Sequence, residues 1–460
     1  MAKLGFLTWL TDRLPAMRLG AADDANLSKP ATRKVSRAIA LCHGLLSERG
    51  EASRASLARE LHSAYRSLGD SDLDHFFDLL SAEFSPNAAQ IAKASATYVL
   101  DPSQANLAHL QDSVEPPRQE LFRRMNIIAG GTAALVAMRK RVLRGLTAHP
   151  QWQGLEADLS HLLRSWFNRG FLNMQRIDWR TSALVLEKLI EYEAVHQIQG
   201  WRDLRRRLEA DRRCYAYFHP ALPDEPIIFI EVALSNGLSA KVQPLLDLDS
   251  TVRDPKNADH AIFYSITNCQ EGLRGISFGN FLIKQVAEDL GREFPRLRHF
   301  ATLSPIPGFR SWLQAQANSR SDKPEGPALK ALMNTLAQPD WCQQPESELA
   351  EKLRVPLSQL TAYYLLRAKS RNRSAGDEPA EPLDPVSRFH LGNGAQLEQL
   401  NWLGDTSTAG MHRSCGLMVN YVYKLSEIER NHEAYVKQRR VIASSKLEDL
   451  AKESILGKIV

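Results

Sequence analysis

Asp259-His-Ala-Ile-Phe-Tyr-Ser-Ile-Thr-Asn268, then Cys269-Gln-Glu-Gly-Leu-Arg-Gly-Ile-Ser-Phe-Gly-Asn280, Phe281-Leu-Ile-Lys-Gln-Val-Ala-Glu-Asp-Leu290 and His299-Phe-Ala-Thr-Leu-Ser304 set the architecture of the larger part of this chain. The run His260–Thr267 is dense in β-branched and aromatic residues, the composition of a buried strand, and Asn268–Gly272 ends it with turn residues. From Phe281 the apolar positions Phe281, Leu282, Val286 and Leu290 fall at helical spacing, and Gly291 is a stop. A second apolar burst, His299–Ser304, runs into Pro305-Ile-Pro-Gly308. Strand, glycine-rich loop, helix and strand make a βαβ unit. Its loop amides and the positive end of its helix would face an anion such as phosphate.

Outward from this unit the pattern stays mixed. Ahead of it, Ser182–Tyr192 and Trp201–Leu208 read as helices, the second with a run of arginines (Arg202, Arg205, Arg206, Arg207) expected to form a solvated face. Cys214–Phe218, Pro226–Leu234 and Leu238–Val242 read as strands, the last two forming a hairpin about Asn236-Gly237. Beyond the unit, Ala328–Leu336, Glu346–Leu353 and Pro356–Arg367 are expected helices, and Ser370–Pro385 a loop or lid. Ala395–Leu403 is an expected short helix, Ser414–Tyr423 a buried last strand, and Lys424–Ile455 a terminal charged helix. By contrast, residues 31–171 carry helical signals only. Ser71 is expected to cap one helix, and Ser85-Pro86 and Asp101-Pro102 to open two more. The fold class is therefore an all-α region followed by an α/β domain on a mixed sheet. The predicted divisions are an N-terminal arm (1–30), a helical domain (31–172) and a catalytic domain (173–460) with a helical insertion at about 319–385.

Composition narrows the function. A net charge of +5 over 460 residues, with no long basic run interleaved with aromatics, argues against nucleic acid. Cys42, Cys214, Cys269, Cys342 and Cys415 are far apart and form no C-x-x-C pair, so neither a disulfide framework nor a zinc site is expected, and a reducing cytoplasmic setting fits. No apolar run reaches membrane-spanning length. The N-terminal stretch, apolar but interrupted by Asp12 and Arg13, reads as a docking or disordered arm, or as a weak organellar presequence.

Three chemistries compete for Arg274-Gly-Ile-Ser-Phe-Gly-Asn280. It is a plain βα turn, or a nucleophile elbow with Ser277 as the nucleophile of an α/β-hydrolase, or a phosphate-cradling loop. The elbow needs its serine on a sharp turn directly after a strand, and the strand here is expected to end near Asn268. Two other residues stand out. Ser304 is held in extended geometry by Pro305, and His390 follows the lid-like loop with the side chain best suited to proton transfer near neutral pH.

Several segments in order carry a resemblance: Phe263-Tyr-Ser-Ile266, Gly272-Leu-Arg-Gly275, Leu303-Ser-Pro-Ile-Pro-Gly-Phe309, His390-Leu-Gly-Asn-Gly-Ala395 and Ser414-Cys-Gly-Leu-Met-Val-Asn-Tyr421. Trp166-Phe167, Gly170-Phe-Leu-Asn173, Glu193-Ala-Val-His196 and Arg213-Cys-Tyr215 agree with them. Together they resemble the malonyl-CoA decarboxylase family. The resemblance implies a helical oligomerisation domain, a GNAT-like catalytic domain, assembly as dimers or tetramers, and a place in fatty acid metabolism. It implies that Ser304 and His390 are the catalytic residues, with Tyr423 and Ser265 as candidates for supporting hydrogen bonds. The substrate loop would be Arg274, Gly275, Ile276, Ser277, Phe278, Gly279 and Asn280, binding the CoA of malonyl-CoA. No metal or organic cofactor is expected, because the thioester carbonyl is itself the electron sink. An acyltransferase of the GNAT type, a hydrolase using Ser277 and a catalytically silent CoA-binding scaffold are the competing readings.

Overall fold

In a computed structural model the chain is described at residues 32–47, 50–276, 278, 282–338, 341, 347–370 and 380–459, so the expected N-terminal arm lies outside the described residues. Contacts divide the chain into two compact units, Met1–Leu162 and Leu163–Val460.

The first unit is helical: α1 (Arg33–Ser47), α2 (Glu51–Arg66), α3 (Asp70–Glu83), α4 (Ala88–Leu100), α5 (Gln104–Val114), α6 (Pro117–Met125), α7 (Gly131–Gly145) and most of α8 (Gln153–Trp166). Every third or fourth residue of α1 is buried, Val35, Ile39, Cys42 and Leu45 among them, which is why an amphipathic stripe fixes its orientation. Phe76, Phe77 and Trp152 centre the core, and the one polar atom of the indole is satisfied by Asp78 at 2.8 Å. The helix starts differ from expectation. Asn87 and Ser103, rather than Ser85 and Asp101, cap α4 and α5, because their side chains reach the free amides of the first turn. Ser71 lies inside α3, whose N-cap is Gly69.

The second unit is built on an eight-stranded sheet. Its strands are β1 (Asn173–Ile177), β2 (Arg212–His219), β3 (Leu222–Ser235), β4 (His260–Asn268), β5 (His299–Thr302), β6 (Ser304–Pro305), β7 (Gln396–Asn401) and β8 (Met418–Tyr423). They run in the order β1-β2-β3-β4-β5-β8-β6, with β7 also on β8. Among the named strands β4 and β5 pair in parallel, and the other ladders are antiparallel. The helices of this unit are α9 (Ala183–Tyr192), α10 (Trp201–Arg207), α11 (Gln243–Leu246), α12 (Leu282–Glu293), α13 (Phe309–Ser319), α14 (Gly326–Leu336), α15 (Glu348–Arg367), α16 (Pro385–Gly392), α17 (Thr408–Ser414), α18 (Ile428–Gln438) and α19 (Ser445–Glu453). The expected βαβ unit is β4, α12 and β5. Tyr215 and Tyr217 of β2 reach α12 through Asp289 at 2.9 Å and the Leu282 carbonyl at 2.8 Å.

Several expected elements took other forms. Leu238–Val242 is no strand: β3 pairs with β4 instead, Ser235 opposite His260, and the Val242 amide bonds the Gly404 carbonyl at 2.8 Å. Leu238, Val242 and Leu245 then pack as a loop and short helix against Ile262, Tyr264 and Leu303. Ala395–Leu403 contains β7 rather than a helix, because β8 draws it into an antiparallel ladder with Leu397 opposite Tyr421. The expected helices on either side of Pro356 are one, α15, running through the proline and packed by Leu353, Leu357 and Leu360. The terminal helix is two, interrupted where Arg439 takes φ 50°. Edge strand β1 was not anticipated. In the arginine run, Arg206 and Arg207 are buried rather than solvated: Arg206 pairs with Asp211 at 2.7 Å, and Arg207 with Glu231 at 2.8 Å and Asp203 at 2.9 Å. Burial and the nearby Glu193 push the Glu231 carboxyl up to about 7, against the pull of Arg207.

Among the glycines of this unit with positive φ, Gly275 at φ +78° and Gly394 at φ +81° differ in their surroundings. A Cβ on Gly394 would stand 2.2 Å from the Ile428 carbonyl oxygen, whereas none of the described atoms lies within 4 Å of one on Gly275. Gly275→Ala should therefore cost only the backbone term, about 1–2 kcal/mol. Gly394→Ala should cost more than that, roughly 3 kcal/mol or above, because a packed backbone must also move. Chemical denaturation of both variants measures the difference, and equal losses would contradict this account.

Candidate active site

The site begins where β4 and β5 part. Their parallel pairing ends at Phe263 opposite Thr302, with one more bond from the Leu303 amide to the Phe263 carbonyl at 2.9 Å. Beyond it β4 continues along β3 to Asn268, while Ser304-Pro305 turns to pair with β8. The opening is part of a cavity of ≈ 740 Å³, lined by Phe263, Tyr264, Ile266 and Asn268 on one side and Leu303, Ser304 and Pro305 on the other. Gly275, Ile276, Phe278 and Leu282 also line it, which brings the start of α12 to its wall. A helix N-terminus and loop amides at a cavity wall suit an anion.

Ser304 and His390 meet in this cavity although 86 residues separate them. Ser304 Oγ lies 3.1 Å from His390 Nε2, and His390 Nδ1 lies 2.7 Å from the Tyr423 hydroxyl. Both residues are nearly inaccessible, at 5% and 3% exposure. Ser304 Oγ–H donates to Thr302 Oγ1 at 2.8 Å, and Thr302 Oγ1 also accepts the Tyr421 amide at 3.2 Å. The Asn420 side-chain amide donates to the Thr302 carbonyl at 2.7 Å. The imidazole stacks on the Tyr421 ring with centroids 4.4 Å apart.

His390 sits on α16, where Asp384 is the N-cap: its carboxylate accepts the Ser387 amide at 2.7 Å. Ser387 Oγ and the Tyr421 hydroxyl are hydrogen-bonded at 2.7 Å, tying the same helix to β8. Burial lowers the His390 pKa to about 3, so the ring is neutral at physiological pH. Burial also raises the Asp384 carboxyl to about 6, against the pull of the Ser387 amide, and pushes the Tyr421 and Tyr423 hydroxyls up.

Of the residues singled out in the sequence, Ser304, His390 and Tyr423 are in one hydrogen-bonded chain. Ser265 is not with them. Alternation along β4 turns Ser265 and Thr267 away from the face of Ile266 and Asn268, and both hydroxyls donate to Glu193 Oε2, at 2.7 and 3.2 Å. Gly275, Ile276 and Phe278 line the cavity and Arg274 is exposed. Ser277, Gly279 and Asn280 lie outside the described residues, as does most of the expected lid. That lid's ends are joined by a bond from the Ser370 amide to the Glu381 carbonyl at 2.8 Å. β4 ends at Asn268, well before Ser277, unlike the strand of a nucleophile elbow. Among the described residues no cluster of three or more His, Cys, Asp or Glu side chains is arranged to hold a metal ion, and no helix is long and apolar enough to cross a membrane.

Thr302, Asp384 and Tyr421 also belong to the site and are not among the residues expected from sequence. Strand alternation could have pointed to Thr302, since residues two apart on a strand share a face and Thr302 is two before Ser304. The other two depend on helix and strand placement that only the fold provides.

The chain is similar to known proteins along most of its length. Residues 170–458 match the model of the malonyl-CoA decarboxylase C-terminal domain, and residues 84–167 that of the malonyl-CoA decarboxylase N-terminal domain. A protein of Anser anser anser named malonyl-CoA decarboxylase, mitochondrial, is 34% identical over 400 residues, 80% of this chain and 77% of that one. A mouse protein of the same name is also 34% identical, covering 80% of this chain and 79% of the relative. The crystal structure of malonyl-CoA decarboxylase from Rhodopseudomonas palustris superposes with a TM-score of 0.84 at 47% identity, over 90% of this chain and 99% of that one. That from Agrobacterium vitis gives 0.82 at 44% identity, over the same shares. The chain belongs to the malonyl-CoA decarboxylase family.

Proposed function

We propose that the chain converts malonyl-CoA to acetyl-CoA and CO2, with His390 as proton donor and Ser304 as the polar partner of the malonyl group. The observation that carries this is the buried chain Ser304–His390–Tyr423 in a cavity that also reaches the start of α12. The CoA phosphates are assigned to the loop 274–280 and the helix start, and the thioester to the gap between the parted strands. When the C–CO2 bond stands perpendicular to the thioester plane, its electron pair passes into the carbonyl and CO2 leaves. The resulting enolate carbon then takes a proton from the imidazole, which solvent replaces. Because the thioester carbonyl accepts the electron pair, the reaction needs no metal or organic cofactor. Preorganised donors around a developing oxyanion supply the largest share of such catalysis.

Incubating the purified chain with malonyl-CoA and following acetyl-CoA and CO2 tests the reading. Acetylation of an amine without CO2 release would favour an acyltransferase, and CoA binding without turnover a silent scaffold. Ser304→Ala and His390→Ala should each lower kcat by about 10²–10⁴-fold, the usual worth of a positioned proton donor, with CoA affinity changed far less. Near-normal turnover in both would sink the assignment.

Two opposite pH dependences of stability follow from the buried groups. His390 falls from 6.5 to about 3 on folding. The unfolded chain therefore binds more protons below 6.5, and stability present above that value is lost as pH falls. Asp384 rises from 3.8 to about 6, so its contribution is present below 3.8 and lost as pH rises through 6. Asp384→Asn keeps a capping side chain and should raise the thermal midpoint at pH 7.5 but not at pH 4. No gain at pH 7.5 would mean the carboxylate is better compensated than its burial implies.

The helical region is assigned to holding a dimer or tetramer together, and the cell compartment to the reducing cytoplasm that suits unpaired cysteines, within fatty acid metabolism. Light scattering on the full chain should report a mass of two or four subunits, and a monomer at micromolar concentration would overturn the assembly.

A further inference from the structure

We infer that Thr302 is a positioning residue: it fixes the direction of the hydrogen bonds through Ser304 and His390, and so which imidazole nitrogen carries the proton. This rests on the proposed roles of Ser304 and His390 and adds a residue that does not touch the substrate.

In a buried chain of hydrogen bonds each donor fixes the role of the next group. Tyr423 is buried, and its hydroxyl has His390 Nδ1 as its hydrogen-bond partner among the described residues, at 2.7 Å. With burial holding that hydroxyl protonated, its proton is best placed on Nδ1, which must then be the acceptor. A neutral imidazole has one donor and one acceptor nitrogen, so Nε2 carries the hydrogen and points it at Ser304 Oγ. Ser304 can accept only if its own hydrogen goes elsewhere, and Thr302 Oγ1 receives it at 2.8 Å. The second lone pair of Thr302 Oγ1 takes the Tyr421 amide at 3.2 Å. Thr302 itself is fully buried, and the Asn420 bond to its carbonyl holds the residue in place. The direction is therefore Tyr423 to His390 to Ser304 to Thr302, and it ends on Thr302.

That direction decides the chemistry available. With the proton on Nε2, the imidazole is a donor toward the cavity, as a group that protonates an enolate carbon must be. Were Ser304 to donate to Nε2 instead, the imidazole would be an acceptor there. The pair would then stand as a serine nucleophile and its general base. Thr302 sits at the fork between the two.

The test reads the tautomer directly. In the full-length protein with ¹⁵N-labelled histidine, the His390 resonances are assigned by their loss in His390→Gln, and the expected one-bond proton is on Nε2. A proton on Nδ1 in the unsubstituted protein overturns the inference, whether or not any variant folds. Thr302→Val should move the proton to Nδ1 and lower kcat by roughly 10–100-fold, part of the ~10²–10⁴-fold worth of the proton donor, with KM changed less than about 3-fold. Thr302→Ser restores the hydroxyl and should return both tautomer and kcat. A folded Thr302→Val with normal kcat and its proton still on Nε2 also overturns the inference. Normal turnover in Ser304→Ala and His390→Ala would instead remove the underlying catalytic reading, while leaving the tautomer of the unsubstituted protein to be decided on its own.

Discussion

The hydrogen bond from the Leu303 amide to the Phe263 carbonyl marks the last point at which β4 and the strand beside it share a ladder. Everything chemical in the second unit follows from what happens next. The backbone groups of Ser304-Pro305 leave β4, which runs on beside β3 to Asn268, and find partners on β8 instead. A gap between two strands would ordinarily be filled by side chains. Here it is part of a cavity, and Ser304 is left on its wall with a hydroxyl that must be satisfied from within the protein.

β8 resolves that need. One short strand pairs with β5, β6 and β7, and within four residues it supplies the Asn420 amide to Thr302, the Tyr421 ring and amide, and the Tyr423 hydroxyl. The first turn of the helix bearing His390 is fixed twice, by the Asp384 cap and by Ser387 against Tyr421. The serine, the histidine and the tyrosine thus come from three distant parts of the chain, and backbone pairing brings them together more than any local motif does.

This explains what could be read from sequence. The βαβ unit was legible because it is local: an apolar strand, a glycine-rich turn and a 3.6-residue stripe are adjacent in the chain. Ser304 and His390 stood out from their immediate neighbours, Pro305 and the Gly392-Asn393-Gly394 turn, and from family resemblance. The strand at Gln396–Asn401 was not legible, since Leu397, Leu400 and Leu403 also satisfy helical spacing and only pairing with β8 decides between the two. Nor could Ser265 be placed. Its partner Glu193 lies 72 residues earlier, and which face of β4 it occupies depends on an irregular register opposite Glu231. Arg206 and Arg207 misled for a related reason: charge in sequence reads as solvent exposure until the buried carboxylates that pair with it are known.

Burial of His390 imposes a further limit. A charged imidazolium in this pocket is disfavoured strongly enough that the ring stays neutral, so His390 itself does not offer a permanent positive charge to a malonyl carboxylate. A cation there would stabilise the substrate's localised carboxylate more than the delocalised enolate, and would slow the step it seemed to help. A neutral ring with its N–H held in one direction avoids that penalty. Its dipole is already aligned before substrate arrives, and it can respond to charge that develops only as the C–C bond breaks. The cost is borne by the fold, which must order the polar groups of a buried tyrosine, histidine, serine and threonine in sequence. For that reason the direction of the hydrogen bonds matters as much as the distances.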